Sequence, residues 1–290
     1  MNSLMLERVE ELNRELERRE EAFRINAHMC FKSGGEKVGY TLVSEGNNCA
    51  PTIYFQTIED VWESTEGIVD RLVCIFEQNK VEDIDISKMA SKEYILSHVL
   101  PKLIPGSNKD AVENRGMVYT EFLDLIVLYF VPVEELCDKN GVASYTLQEN
   151  VLNMAGVTLE EVHEHAIENL EKEVEVKSMS SIIAEMMGFE EELDEMMVPD
   201  DVTMWVVSNK SRVNGAAAIL SKTVMNELVE KFGDKFAILP SSIHECIAVP
   251  AGSRDDFATM IQEVNAEQVE VEEQLADHPY IYSDGELRIY

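Results

Sequence analysis

The chain has 290 residues, 56 of them acidic and 24 basic, for a formal charge of −32. Hydrophobic residues make up 45% and charged residues 28%, proportions that fill a real core and exclude a disordered or low-complexity chain. A surface this negative repels phosphate, and no basic stripe offsets it, which argues against direct nucleic-acid binding.

In chain order, residues 1–25 read as one helix. Leu6, Val9, Leu12, Leu16 and Phe23 fall close to helical spacing, with Glu and Arg between them. The helix is expected to dock on the body; a homodimer contact through it is the alternative. Its Glu- and Arg-rich first turns are not those of a signal peptide. The longest apolar run, Phe122 to Val133, is too short to span a bilayer, so no membrane partner is expected. Ala27 to Lys32 and Lys37 to Ser44 read as strands joined through Ser33-Gly34-Gly35-Glu36, followed by the loop Glu45 to Asn48 and a strand at Thr52 to Phe55. Ile58 to Gln78 reads as a long amphipathic helix, and Ser87 to Leu103 as another, ended or kinked by Pro101. Phe122 to Val131 (FLDLIVLYFV) is apolar on both faces, the pattern of a covered central strand that buries Asp124.

A second lobe is expected from Asn140-Gly141. It starts with a strand at Ala143 to Leu147, a helical turn over Gln148 to Met154 and a helix from Thr158, with Glu160 and Glu161 in its first turn. The pattern stays helical over Met179 to Met187, and Glu190 to Asp201 reads as an acidic loop. Strands are expected at Thr203 to Ser208, Ala216 to Leu220, Phe236 to Leu239 and Ile243 to Val249. Helices are expected at Lys222 to Phe232 and Ser253 to Val264, the latter capped by Ser253, and a hairpin over Tyr280 to Ile289 turning at Asp284-Gly285. The organisation is thus an N-terminal helix (1–25), a first lobe (26–139) and a second lobe (140–290) with an acidic insertion near 158–201. The fold class is α+β, with mixed sheets, hairpins and amphipathic helices packed on them.

The five cysteines, Cys30, Cys49, Cys74, Cys137 and Cys246, are far apart and form no CxxC pair. They suit a reducing cytoplasm and argue against a disulfide framework or structural zinc. Among residues able to carry chemistry, Ser241, Ser242, His244 and Glu245 combine a nucleophile, a base and an acid, yet neighbouring side chains on a strand diverge and no GxSxG elbow is present. Asn209, Lys210, Arg212 and Asn214 gather two cations and two carboxamides at a loop able to hold an anion, unless nearby acids neutralise it. His163 and His165 stand about 200° apart on a helix and cannot share a metal ion. Asp124, buried in its strand, requires a partner, with Lys210, Arg212 or a backbone amide as candidates. Neither GxGxxG nor GxxxxGK[ST] occurs, so no cofactor is expected.

The runs EGNNCAPTIYF (45–55), FLDLIVLYFV (122–131), MWVVSNKSRVNGAAAIL (204–220), ILPSSIHECIAVP (238–250) and VNAEQVEVEEQLADHPYIYSDGEL (264–287) together resemble an uncharacterised bacterial family, domain of unknown function 5688. The resemblance covers most of the chain from about residue 26. It implies a cytosolic protein of mixed α/β structure and brings no activity, cofactor or catalytic residue.

Residues 158–201 hold fifteen acidic and two basic residues, and 253–277 eight acidic and one basic. The leading expectation is a soluble, cytoplasmic, non-enzymatic protein whose acidic face meets a basic protein partner, including as a nucleic-acid mimic or inhibitor. The alternative is a hydrolase-like enzyme of unrecognised class. Its site would lie between the 208–215 hairpin and the 241–245 turn, in a cleft where Asp124, Arg212 and His244 converge.

Overall fold

A computed structural model describes residues 3–44, 49–54, 64–79, 84–133, 136, 143–188, 204–251 and 254–290. The expectations for Glu45 to Asn48, Phe55, Ile58 to Glu63, Cys137, Asn140-Gly141, the acidic loop Glu190 to Asp201 and the cap at Ser253 lie outside the described residues. The chain divides into two compact units, Met1–Ile86 and Ser87–Tyr290.

In the first unit, helix α1 (Ser3–Arg18) precedes strands β1 (Phe23–Lys32), β2 (Gly35–Ser44) and β3 (Ile53–Tyr54), which form an antiparallel sheet in that order. Helix α2 (Thr65–Gln78) follows, with the Ser64 hydroxyl accepting from the Gly67 amide at its N-cap. The expected helix over 1–25 stops at Arg18, and Phe23 to Ile25 belong to β1. Between them Glu20 adopts a positive φ of 58°, and the turn redirects Phe23 onto Phe76, ring centroids 4.9 Å apart. One core joins Leu12 and Leu16 of α1, Ile25, Tyr40 and Leu42 of the hairpin, and Ile68, Leu72 and Phe76 of α2. The Asn13 carboxamide donates to the Ile25 carbonyl (2.9 Å) and accepts from the Ile25 amide (2.8 Å), so both backbone groups of that residue are satisfied by one side chain.

Glu15 in α1 is gripped by Arg18 at 2.7 Å and Arg19 at 2.6 Å. The hydrogen bond from Arg18, then that from Arg19, outweigh burial and hold its carboxyl at about 2, below the ordinary 4.5. A folded-state value below the unfolded one stabilises fully above the unfolded value and is lost as pH falls towards the folded one. Glu15→Gln should therefore lower the melting temperature at neutral pH, and its deficit should shrink as pH falls from 4.5 towards 2. A deficit that stays constant across that window in paired thermal melts would refute the assignment.

Short helix α3 (Ile86–Met89) straddles the boundary between the units, and α4 (Lys92–His98) and strand β4 (Leu100–Pro105) follow in the second. The single helix expected over Ser87 to Leu103 is thus broken. Pro101 lacks the amide a helix interior requires and favours extended backbone at Leu100, so the chain enters a sheet instead. A 3-10 turn (Gly106–Asn108) and helix α5 (Lys109–Asn114) lead to β5 (Tyr119–Phe122) and β6 (Leu125–Pro132). The order is β4-β6-β5, and β7 (Ser144–Thr146) also pairs with β6. This sheet therefore spans residue 140, and the division of the chain falls at Ile86/Ser87 rather than between 139 and 140. Every residue from Leu125 to Val131 is buried, the covered core strand that the apolar run foretold.

Helices α6 (Glu149–Ala155) and α7 (Leu159–Leu170) follow, α7 opening on a reciprocal capping box between Thr158 and Glu161. Asn169, 9% exposed, donates from α7 to the carbonyls of Leu96 and Val99 at 3.1 Å each, tying α7 to the end of α4. Then come β8 (Val174–Ser178), α8 (Met179–Met186), β9 (Trp205–Asn209), α9 (Lys222–Phe232), β10 (Lys235–Pro240), β11 (Cys246–Pro250), α10 (Arg254–Glu267), β12 (Tyr280–Ser283) and β13 (Glu286–Ile289). The strands form one antiparallel sheet in the order β13-β12-β10-β11-β9-β8, with Ile261 of α10 packed on Ala237, Leu239, Val249 and Ile281. The expected strand Ala216 to Leu220 is a 3-10 helix, Gly215–Leu220, whose residues through Ile219 are buried. A short apolar run does not distinguish a buried strand from a buried helical turn. The architecture is α+β, and the described residues include no helix long and apolar enough to cross a membrane.

Candidate functional site

The 209–215 loop and the 241–245 turn do meet. The Asn214 amide donates to Nδ1 of His244 (3.2 Å), and the Ser208 hydroxyl to its carbonyl (2.8 Å). Their polar groups are consumed in holding the loops. Asn209 is buried; its carboxamide donates to the Val213 carbonyl (2.9 Å) and accepts from the Ser211 hydroxyl and the Val213 amide (3.2 Å each). Lys210 Nζ donates to the Lys172 carbonyl at 2.6 Å, and Arg212 pairs with Glu185 at 3.0 Å. Arg212 and Asn214 take left-handed φ of 54° and 56°, which turns the chain and spends the asparagine on geometry. In the second turn the Ser242 hydroxyl accepts from the His244 amide (3.0 Å) and the Ser242 amide donates to the Glu245 carbonyl (3.1 Å), with Ser241 partly buried beside them. The second His244 nitrogen, Nε2, lies 3.5 Å from Glu273. Its ring nitrogens thus face Asn214 and Glu273, an arrangement that gives neither serine a general base.

Asp124 is elsewhere, and the structure corrects its setting. The run 122–131 is not one strand: Leu123, with φ of 55°, and Asp124 form the tight turn between β5 and β6. The Asp124 side chain is 38% exposed, and its partners are neither Lys210 nor Arg212. Oδ1 accepts from the Tyr280 hydroxyl at 2.9 Å, and Oδ2 lies 3.3 Å from Nε2 of His278. That last approach is an electrostatic contact without hydrogen-bond alignment, since Nε2 has no hydrogen-bond partner. Nδ1 of His278 in turn sits 3.2 Å from Asp277. The Gly106 amide donates to the Asp124 carbonyl at 3.0 Å, and a Cβ at Gly106 would collide with that oxygen. Burial, then the neighbouring Asp124 carboxylate, push the Tyr280 hydroxyl far above the usual phenol range, so it stays protonated and donates.

These groups border a cleft of about 530 Å³ lined by Gly106, Ser107, Asp124, Asn265, Asp277 and His278 among others. Neither His278, Tyr280 nor Asn265 stood out in the sequence. His278 precedes β12, which begins at Tyr280, so no strand periodicity marks the pair, and their meeting with Asp124 spans more than 150 residues.

His163 and His165 diverge as their spacing requires: His163 Nδ1 lies 2.8 Å from the Tyr129 hydroxyl, and His165 3.6 Å from Glu168. The Tyr129 hydroxyl also meets Thr120 at 2.7 Å, and burial pushes it up to about 12. Among the described residues no group of three or more His, Cys, Asp or Glu side chains is arranged to hold a metal ion.

The fold and the cleft define an α+β protein of antiparallel sheets with a carboxylate-rich recess. Residues 5–284 match a family described as a family of unknown function, DUF5688, and the chain belongs to that family. Neither a curated protein nor a solved structure matches it significantly.

Proposed function

We propose that the protein is a cytoplasmic bacterial interaction protein that engages a basic protein partner through its acidic surface. The observation that carries this reading is the outer face of α7. Glu160, Glu164 and Glu168 are exposed there, at intervals of four residues, while Val162, Ala166, Asn169 and Leu170 on the other side are buried. At 1.5 Å per residue the three carboxylates recur about every 6 Å along one rigid axis. The lysine that meets this helix, Lys92, pairs with Glu161 at 2.5 Å rather than with any of these three carboxylates. Exposed charge of one sign steers an oppositely charged partner and loses its reach as salt rises. Among the described residues, the free thiols at Cys30, Cys74 and Cys246 accord with a reducing compartment. Nucleic-acid mimicry is the special case in which the partner's own nucleic acid competes for the same face.

The test is titration of a defined lysine- and arginine-rich polypeptide at increasing ionic strength, against the protein and its Glu160→Gln/Glu164→Gln/Glu168→Gln variant. Three exposed charges at roughly 0.2–1 kcal/mol each lead to an expected loss of about ten-fold in affinity at low salt. Affinity insensitive to both the salt and the triple substitution would remove the proposal.

A further inference from the structure

The recess at Asp124 has a chemistry that the outer acidic face does not explain. We propose that this cleft is a binding site for an organic cation, the guanidinium or ammonium head group carried by arginine and lysine side chains and by free alkylamines. The inference deepens the function proposed above and rests on it for the source of the head group, since a basic partner brings such groups in number.

Four observations converge on it. The cleft measures about 530 Å³, within the span of roughly 300–1,000 Å³ typical of small-ligand sites. Its polar lining is rich in acceptors: Asp124 at the turn, Asp277 with its side chain 77% exposed, and the carboxamide of Asn265. Asn265 is only 8% exposed, spends its Nδ2 on the Ala276 carbonyl at 2.9 Å, and leaves its Oδ1 without a hydrogen-bond partner. A buried acceptor left unpaired is costly, and a donor-bearing ligand relieves that cost. Finally, no lysine or arginine is among the described residues that line the recess, so no side chain of fixed positive charge there neutralises the two carboxylates.

The surrounding groups give the site its shape. Tyr280 orients one oxygen of Asp124 from the six-stranded sheet, while Gly106, by having no side chain, lets the 3-10 turn close against the same residue. His278 stands between the two aspartates, 3.3 Å from Asp124 and 3.2 Å from Asp277. A bare metal ion does not suit this arrangement, because the ring nitrogens already separate the carboxylates and no three-ligand group forms. A planar guanidinium, with five donors, meets dispersed acceptors better than a point charge does.

The experiment is calorimetric and NMR titration of the full chain with agmatine, with an arginine-rich peptide, and with glutarate as an anionic control. It is repeated on Asp124→Asn, on Asp277→Asn and on the triple glutamine variant of α7. Saturable binding of agmatine or of the peptide that weakens at least ten-fold in Asp124→Asn, with glutarate inert, is the expected result. Binding of agmatine identifies free amines as a source; binding of the peptide alone identifies a partner's side chain. If Asp124→Asn does not fold, Asp277→Asn carries the same expectation from a more exposed position. Peptide binding that falls only in the α7 variant would overturn the cleft and leave the acidic-face function standing. Affinities unchanged in both aspartate variants, or no binding of either cation, would overturn the cleft outright.

Discussion

Replacing Gly215 with alanine is expected to destabilise the second unit by about 3 kcal/mol, the upper part of the range for forcing an extra methyl into packed surroundings. A Cβ there would press on the Ser208 hydroxyl and would lie 2.6 Å from the His244 carbonyl oxygen and 2.7 Å from the Asn209 amide nitrogen. Two of these three obstacles are backbone, one in β9 and one in the 241–245 turn, so rotamer changes cannot clear them. Relief requires pulling the 3-10 helix away from the sheet and breaking the 2.8 Å bond from Ser208 to His244. Gly35→Ala is the matched control, since nothing lies within 4 Å of its added methyl. Urea midpoints should drop steeply for the first variant and barely move for the second. Similar midpoints would show that the loop is not packed as described.

Phe76→Ala should cost the first unit about 3–5 kcal/mol, the range for emptying a large aromatic from a core. Phe76 is 0% exposed, stacks edge-on to Phe23, and closes a core shared by α1, the β1–β2 hairpin and α2. A unit of this size has little stability to spare, so Phe76→Ala should unfold it at moderate temperature, while Phe76→Leu keeps most of the buried volume and loses less. A thermal melt reports both. Equal melting temperatures for Phe76→Ala and the parent would place Phe76 outside the core.

Much of the fold could be read because its signals are local. The hairpin at Ser33-Gly34, the helix start at Thr158 with Glu160 and Glu161 in its first turn, helix Lys222–Phe232 and the turn at Asp284-Gly285 each depend on neighbours within a few residues. The structure departs from the sequence pattern where local signals are balanced. Leu123 and Asp124 sit inside an apolar run with no glycine, asparagine or proline to mark a turn, and the left-handed φ at Leu123 is paid for by contacts made far along the chain. Gly215-Ala216-Ala217-Ala218 is short, small and apolar, and only its crowding against β9 and the 241–245 turn selects the 3-10 form. The carboxylate recess was illegible for a related reason: Asp124 comes from one sheet, Tyr280 from another, and Asn265 from a helix. Ser242, His244, Lys210 and Arg212, residue types able to carry chemistry, each hold a hydrogen bond or ion pair in or beside their loops, contacts that no local sequence signal announces.

The bond pair between Asn13 and Ile25 has a consequence for life in a crowded cell. Strand β1 pairs with β2 along its full length, and no second described strand continues the sheet beyond β1. Such a rim is a template on which a stray extended chain can polymerise. Asn13 occupies one rung of it with a side-chain amide that copies the donor and acceptor of a neighbouring backbone, and exposed Arg24, Asn26 and His28 flank that rung with polar groups. An incoming strand would have to evict that amide before it could pair with Ile25.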